Sequence, residues 1–223
     1  MTIQECYARA LQKAELNLAN GGDKLDLPRF VLLFNEQQNR YVRYALKKKN
    51  VDDIRYIQKL IVYNKKLNKL QAFTNPESYL YGIPNDFFDF VSISGSFKKG
   101  SCVSSDFGLW EIHHEDINEL LMDENNKPSY DYRETFYTIG HDGINVYTGG
   151  FDVTRINLTY YRYPKEVDIA GYVRVDGSAS SDIDPELDDK VVLMILDMVE
   201  KQHALNEGDG RYNLDLNNVT SLK

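Results

Sequence analysis

Apolar residues in the first part of the chain recur at steps of three and four, which is the period of an amphipathic helix. Asp26 can cap such a helix at its start, and Pro28 is tolerated in the first turn. The predicted helices are 3–20, Asp26 to about Lys49, and Asp52 to about Leu67. We therefore expect a helical region over residues 1–69.

The pattern changes over residues 70–163, where β-branched and aromatic residues separated by Gly, Pro and Asn indicate strands. His141-Asp142-Gly143 predicts a hairpin turn, because Asp-Gly readily adopts positive φ. Glu115–Met122 predicts a short helix. The predicted strands are Leu70–Phe73, Val91–Phe97, Leu109–His113, Glu134–Ile139, Ile144–Tyr147 and Arg155–Tyr163.

After an irregular stretch, the chain closes with a strongly apolar helix. Asp184 is its predicted N-cap and Pro185 its first helical residue. Its predicted buried stripe is Leu187, Val191, Val192, Ile195, Leu196 and Val199. The whole pattern predicts an α+β fold, a bundle of the N-terminal helices and the C-terminal helix with an inserted, mostly antiparallel β region. The predicted regions are 1–69 (helical), 70–163 (β-rich), 164–205 (loop and closing helix, packed on the N-terminal helices) and 206–223 (an extended arm).

Bulk composition describes an ordinary globular chain of 223 residues with 42% hydrophobic and 27% charged residues. No apolar run approaches the ~20 residues that a membrane helix needs, so we expect no membrane partner. The first residues lack the basic and then apolar order of a signal peptide. Cys6 and Cys102 have no CxxC partner, which favours free thiols in a reducing compartment.

Charge is concentrated in one segment. Residues 40–69 contain ten Lys/Arg and two Asp, a local net charge of +8, in a chain whose net charge is −8. This segment indicates either a docking face for an acidic partner, protein or nucleic acid, or a solvated helical face. Tyrosines among the cations could stack on bases, but no nucleic-acid-binding motif accompanies them. The candidate docking residues are Arg40, Arg43, Lys47, Lys48, Lys49, Arg55 and Lys59.

Tyrosine is abundant, with 16 residues in 223. Tyr combines a large contact area with a polar tip and is enriched at protein interfaces, but it also favours strands. Both interpretations fit the sequence. The candidate inter-subunit residues are Tyr160, Tyr161, Tyr163 and Tyr212.

The chain offers few candidates for catalysis or metal binding. His113, His114, Glu115 and Asp116 are adjacent, but neighbours on a strand point to opposite faces, and the His-Glu-x-x-His spacing is absent. His141-Asp142 is better explained as a turn before Gly143. Neither a phosphate loop, a dinucleotide-binding glycine motif nor a nucleophile elbow is present. We expect no catalytic residue, no metal and no cofactor, and hence no enzyme.

Two short elements and their order along the chain carry a resemblance to a known family. Ile83-Pro84-Asn85-Asp86-Phe87 follows the helical region, and Tyr160-Tyr-Arg-Tyr-Pro164 precedes the closing helix. This order resembles head-to-tail adaptor (connector) proteins of tailed bacteriophages, including the tail tubular protein A type of short-tailed phages. The composition, rich in Asn, Lys and Tyr, is similar to that of phages of AT-rich gut bacteria such as the crAss-like group. Residues 91–131 and the Asn-rich tail depart from the family pattern.

The resemblance implies a structural virion protein assembled in the host cytoplasm. It implies a closed ring of about twelve copies beneath the portal, joining capsid to tail and enclosing the DNA channel. The expected partners are other copies of the chain, the portal and neighbouring tail-ring or tail-hub proteins, while genomic DNA passes through non-specifically. An acidic wall would let DNA slide, and the cationic segment would meet the portal or an adjacent subunit. The alternatives are another tail or neck ring protein and, in a different class, a small hydrolase or nuclease.

Overall fold

The computed structural model describes residues 1–17, 25–74, 77–102 and 104–206. Within these ranges it has five helices and an eight-stranded mixed sheet, which confirms the α+β prediction. The helices are α1 (Ile3–Asn17), α2 (Leu27–Lys48), α3 (Val51–Ile57), α4 (Ile117–Met122) and α5 (Asp189–Asn206). The strands are β1 (Ile61–Lys66), β2 (Lys69–Thr74), β3 (Glu77–Tyr81), β4 (Phe87–Lys98), β5 (Ser105–Glu111), β6 (Glu134–Gly140), β7 (Gly143–Tyr147) and β8 (Asp152–Arg162).

The chain divides into two compact units. The helical unit comprises Met1–Leu60 and Pro164–Lys223, and the sheet unit comprises Ile61–Tyr163. The boundary between the predicted helical and β regions therefore lies at residue 60 rather than 69. The predicted end of the first helix at residue 20 and the predicted arm beyond residue 206 lie outside the described residues.

Helix α2 forms as its sequence predicts. The Asp26 carboxylate caps it by accepting a hydrogen bond of 2.9 Å from the Arg29 N–H, and Pro28 occupies the first turn. The helix ends where Lys49 adopts a left-handed conformation with φ of 50° and donates its N–H to the Ala45 carbonyl. Its buried residues lie on one side and are Phe30, Val31, Leu33, Phe34, Gln37, Gln38, Tyr41, Val42 and Ala45.

The predicted third helix is wrong beyond its second turn. Helix α3 ends at Ile57, a 3-10 turn covers Gln58–Leu60, and β1 follows directly. The spacing of Ile57, Leu60 and Ile61 continues a helical pattern, so the local sequence gives no signal for the change. The strand forms because residues 61–66 pair with β8 in the antiparallel direction, with Ile61 opposite Tyr161.

The predicted start of the closing helix is also wrong, because α5 begins at Asp189. Asp184 and Glu186, which have the pattern of a helix start, instead accept hydrogen bonds from backbone N–H groups of other segments. Asp184 accepts the Ile3 N–H at 2.8 Å, where it satisfies a free donor at the N-terminus of α1. Glu186 accepts the Lys165 N–H at 2.7 Å. The stripe predicted from Leu187 to Val199 is buried as expected, and α5 packs against α1 and α2.

Side chains of α2 hold the irregular segment that precedes α5. The Asn35 side-chain amide donates to the Val167 carbonyl at 3.0 Å and accepts the Val167 N–H at 2.9 Å. Gln38 donates its side-chain amide to the Lys165 carbonyl at 2.9 Å. These polar residues therefore replace the backbone partners that a loop otherwise lacks.

Asp168 is the buried centre of the same segment. Its carboxylate accepts hydrogen bonds from the Tyr172 hydroxyl, the Arg174 guanidinium and the Ser181 N–H. Burial acts to raise the pKa of Asp168, but the hydrogen bonds from Ser181, Tyr172 and Arg174 together outweigh burial and lower it. Asp168 therefore stays charged, and its bonds tie residues 168–181 into an ordered loop.

The sheet has the strand order β1-β8-β4-β5-β6-β7-β3-β2. Its only parallel pairing among the described strands is β5 with β6. Its two edge strands, β1 and β2, are consecutive in the chain and are separated only by Leu67 and Asn68. The Leu67 N–H donates to the Ile156 carbonyl of β8, and the Asn68 carbonyl accepts from the Gly82 N–H. The sheet thus curls until its two edges meet at this point.

The curled sheet encloses an aromatic core. The ring centroids of Phe97 and Phe107 are 4.6 Å apart, and those of Phe107 and Phe151 are 5.2 Å apart. Both Phe97 and Phe151 are buried, and Tyr130 packs on the same cluster. A Cβ added at Gly95 would lie 2.7 Å from the Ile156 side chain, so the core leaves no room there.

The strand predictions agree with six of the eight strands, with shifted bounds, whereas β1 and β3 were missed. The predicted hairpin turn is confirmed, since Gly140 pairs with Gly143 across His141 and Asp142. Gly143 has φ of 141°, and a Cβ there would lie 2.2 Å from the Tyr81 carbonyl oxygen. Glycine is therefore required at this position. The short helix predicted over Glu115–Met122 is present as a 3-10 turn followed by α4.

Candidate interaction surface

All seven predicted docking residues are exposed and lie in the helical unit. Arg40, Arg43 and Lys47 share one side of α2, because residues three, four and seven apart lie on the same helical face. Tyr41 and Ala45 lie on the opposite, buried side. We call the seven residues the basic surface: Arg40, Arg43, Lys47, Lys48, Lys49, Arg55 and Lys59.

The basic surface covers the junction between α2 and α3. Lys47, Lys48 and Lys49 stand at the C-terminal end of α2, where the helix dipole favours cations. Asn50 then caps α3, its side chain accepting the Asp52 N–H at 3.2 Å. The capped junction fixes the backbone between the two groups of cations.

Lys48 and Lys59 of the basic surface contact side chains of the helical unit. The Lys48 ammonium lies 5.3 Å from the centroid of the Tyr44 ring and 3.7 Å from the Asp53 carboxylate. The contact with the Tyr44 side chain, followed by the negative charge of Asp53, raises the pKa of Lys48. Lys59 forms an ion pair with Asp188. Within the described part of the chain, Arg40, Lys47, Lys49 and Arg55 form no ion pair, so their charge is available to a partner.

Two apolar side chains are exposed among these cations. Val51 at the start of α3 is 70% exposed, and Tyr44 on α2 is 43% exposed. The hydrophobic pattern alone did not reveal them, because each follows the spacing of a buried position. A surface that combines cations with an exposed aromatic and an exposed valine has the composition of a protein interface.

The structure does not keep the predicted basic segment 40–69 together as one surface. Its last three lysines, Lys65, Lys66 and Lys69, belong to the sheet unit. Lys65 donates to the Tyr160 hydroxyl at 3.2 Å, and the Lys69 ammonium lies 3.6 Å from the centroid of the Tyr79 ring. These two contacts hold neighbouring strands together, so Lys65 and Lys69 are engaged within the sheet unit.

Two of the four candidate inter-subunit tyrosines are not available for such contacts. Tyr160 is fully buried and Tyr161 is also buried, because both lie on β8 within the sheet. Tyr160 and Tyr161 therefore do not lie on an exposed surface, and the prediction that these two residues form inter-subunit contacts is wrong. Tyr163 is exposed and packs edge-on against Phe88, with ring centroids 4.6 Å apart. Tyr212 lies outside the described residues.

The two sequence elements that carry the resemblance are in direct contact. Ile83–Phe87 forms a turn in which the Phe87 N–H donates to the Pro84 carbonyl. The Tyr160 hydroxyl donates to an Asp86 carboxylate oxygen at 2.8 Å, and the Tyr163 N–H donates to the Asp86 carbonyl, also at 2.8 Å. Burial, and then the bond to Asp86, raises the pKa of Tyr160. Asp86 thus anchors the end of β8 through its side chain and its backbone.

The residues considered for catalysis are dispersed. His113 and His114 are exposed and lie past the end of β5, where His114 places a ring nitrogen 3.3 Å from the Ile139 carbonyl. His141 and Asp142 form the exposed hairpin turn. Over the ranges that the structure describes, no three His, Cys, Asp or Glu side chains are grouped so as to hold a metal ion.

Among the described helices, none combines the length and hydrophobicity required to cross a bilayer. No protein-family model matches this sequence, and no curated protein is significantly similar to it.

Proposed function

We propose that the chain is a structural protein of a tailed-phage virion. In this proposal it forms a ring of the head-to-tail connector beneath the portal, joins capsid to tail and surrounds the DNA channel. The observation that carries the proposal is the contact between Asp86 and Tyr160. It joins the two short elements on which the resemblance to connector proteins rests, so they act as one structural feature.

The order of the elements supports the same proposal. Helices α1, α2 and α3 come first, the sheet unit follows, and α5 returns to pack on α1 and α2. We interpret this arrangement as the helical bundle with an inserted β region that the sequence pattern predicts. The net charge of −8 is also compatible with a channel through which DNA slides without being held.

The basic surface is the proposed docking region, for the portal or for an adjacent subunit. Neutralising Lys47, Lys48 and Lys49 together to Gln is expected to weaken docking, because it removes three exposed cations from one helix end. Lys98 and Lys99 are exposed lysines of the sheet unit, and changing both to Gln supplies the control. Docking that is unchanged in the triple variant would remove this helix end from the interface.

The proposal is tested by co-expressing the chain with a candidate portal protein and examining the isolated complex by electron microscopy. A ring of this chain on the tail-facing side of the portal is the expected result. Co-purification with a lower tail or neck protein, and not with the portal, would indicate a different position in the virion.

A further inference from the structure

We propose that the basic surface of one copy binds an acidic segment around α4 of a second copy. The proposal rests on the function proposed above, because a closed ring requires two different faces of the same chain that meet head to tail. The acidic segment is residues 111–124, which contain six Asp/Glu and no Lys or Arg.

The helix of the acidic segment lies at the surface of the sheet unit. None of the residues of α4 is buried, and Met122 at its end is 84% exposed. Glu115 and Glu119 are also exposed, and within the described residues neither carboxylate forms an ion pair or accepts a hydrogen bond. Helix α4 and the 3-10 turn before it therefore present the apolar side chain of Met122 together with the unpaired carboxylates of Glu119 and Glu115.

Two other acids of the segment, Asp123 and Glu124, have partners in the loop that follows α4. The Asp123 carboxylate accepts the Asn125 N–H at 2.9 Å, and Glu124 pairs with Lys127 at 2.8 Å. The backbone bond from Asn125, and then the side chain of Asn126, lowers the pKa of Asp123. Glu115 and Glu119, like Glu111 and Asp116, form no ion pair within the described residues, and both are exposed on or next to α4.

The two surfaces match in charge. Residues 40–59 hold seven Lys/Arg and two Asp, a net charge of +5, against −6 for residues 111–124. On the basic side, Arg40, Lys47, Lys49 and Arg55 are the cations without an ion pair in the described part of the chain. Complementary fields of this size steer encounter and reject wrong partners, since like charges would face each other in any other pairing of these two surfaces.

The two surfaces also match in apolar content. The basic surface exposes Val51 and Tyr44, and the acidic segment exposes Met122. Unbranched Met adapts to irregular contacts, and Tyr is enriched at interfaces. A polyanion such as DNA would use the cations and leave Val51 exposed. A second copy of the chain accounts for the charges and the apolar residues together.

The test uses two charge-reversed variants of the full chain. The first carries Arg40→Glu with Lys47→Glu, and the second carries Glu115→Lys with Glu119→Lys. In either variant alone, like charges meet at the replaced positions and the attraction between the two surfaces falls, so self-association measured by native mass spectrometry at low ionic strength is expected to weaken at least about tenfold. Mixed in equal amounts, the two variants are expected to restore assembly. In a ring in which they alternate, the changed basic surface of the first variant meets the changed acidic segment of the second, and the two unchanged surfaces meet each other.

Matched controls carry the same charge changes elsewhere: Lys98→Glu with Lys99→Glu, and Asp89→Lys with Glu166→Lys. They are expected to assemble as the unmodified chain does, and thermal unfolding establishes that every variant folds. If folded reversed variants assemble normally, or if their mixture fails to recover, the inference is overturned. Normal rings that lose only portal binding, or only DNA binding, would likewise assign the basic surface to another partner.

The same experiment separates this inference from the function on which it rests. Rings of the unmodified chain that are insensitive to both reversals overturn the inference and leave the connector proposal in place. An unmodified chain that forms no ring, alone or with the portal, overturns both.

Discussion

The Tyr160 hydroxyl donates a 2.8 Å hydrogen bond to the Asp86 carboxylate, which links the last strand of the sheet to the turn before β4. The Lys65 ammonium lies 3.2 Å from the same hydroxyl and 3.8 Å from the carboxylate. The three side chains form a small polar group at the edge of an aromatic core. Phe87 adds to it, with its ring centroid 5.7 Å from that of Tyr160.

Changing Tyr160→Phe is expected to lower the free energy of unfolding by about 0.5–1.5 kcal/mol, the usual contribution of one hydrogen bond. The ring stays in the core, so packing is preserved and only the hydroxyl is lost. Urea denaturation checks the change. Tyr132→Phe is the control, because Tyr132 is exposed and its variant should leave stability unaltered. If the two changes had the same effect on the free energy of unfolding, the hydrogen bond to Asp86 would not be stabilising.

Changing Asp168→Asn is expected to destabilise the helical unit by about 2–3 kcal/mol at pH 7, because hydrogen bonds to a charged group are stronger than neutral ones. The folded-state pKa of Asp168 is lowered, so its charged form contributes stability above the ordinary aspartate pKa. That contribution is lost as pH falls through about 4 towards the lower folded value.

The measurement for Asp168 is the difference in unfolding free energy between the unmodified chain and the variant at pH 7 and at pH 3. The difference should shrink on acidification. Asp131→Asn, at an exposed position, serves as the control. A difference that is the same at both pH values would show that the charge of Asp168 is not what stabilises the loop.

Changing Gly143→Ala is expected to cost about 1–3 kcal/mol or more, since φ of 141° is strained for any residue with a Cβ. The added Cβ would also lie 2.2 Å from the Tyr81 carbonyl oxygen and force β3 and β7 apart. The thermal midpoint of unfolding reports the effect. At Gly108 the nearest atom to a new Cβ is 4.0 Å away, so Gly108→Ala should be nearly neutral. Similar losses at both glycines would contradict this account of the hairpin.

The two cysteines are expected to differ strongly in reactivity. Cys6 is buried in α1, and burial raises the pKa of its thiol to about 11, whereas Cys102 is exposed. At pH 8 an alkylating reagent should label Cys102 quickly and Cys6 only after unfolding. Mass spectrometry of the labelled peptides, with Cys102→Ser as the control, measures both rates. Comparable labelling of Cys6 in the native chain would show that α1 is not packed as described.

Local sequence predicted elements whose signals are complete within a few residues. Asp26, Pro28 and the apolar side of α2 specify that helix from cap to end, and Asp142-Gly143 specifies the hairpin. Prediction from local sequence failed where a contact with a residue distant along the chain determines the secondary structure. Ile61 continues a helical spacing but pairs with Tyr161, and Asp184 resembles a helix cap but accepts the Ile3 N–H. Both outcomes depend on contacts about a hundred residues or more away along the chain.

For the candidate surface, the sequence likewise predicted the exposed cations but not the burial of the tyrosines or the exposed apolar residues. A run of exposed cations is visible in sequence, because Lys and Arg are seldom buried, and all seven docking residues are exposed. The tyrosines of β8 were misassigned, because a tyrosine-rich strand looks the same whether its faces are buried or exposed. The exposure of Met122 and Val51 depends on how short helices pack, which a hydrophobic pattern does not encode.

The central claim is that this chain assembles into a connector ring, and native mass spectrometry of the purified full chain tests it most directly. The chain is measured alone and with a candidate portal, over a range of concentrations. We predict a closed ring of about twelve copies, formed either spontaneously or on the portal. A chain that stays monomeric at every concentration and ignores the portal would contradict the account.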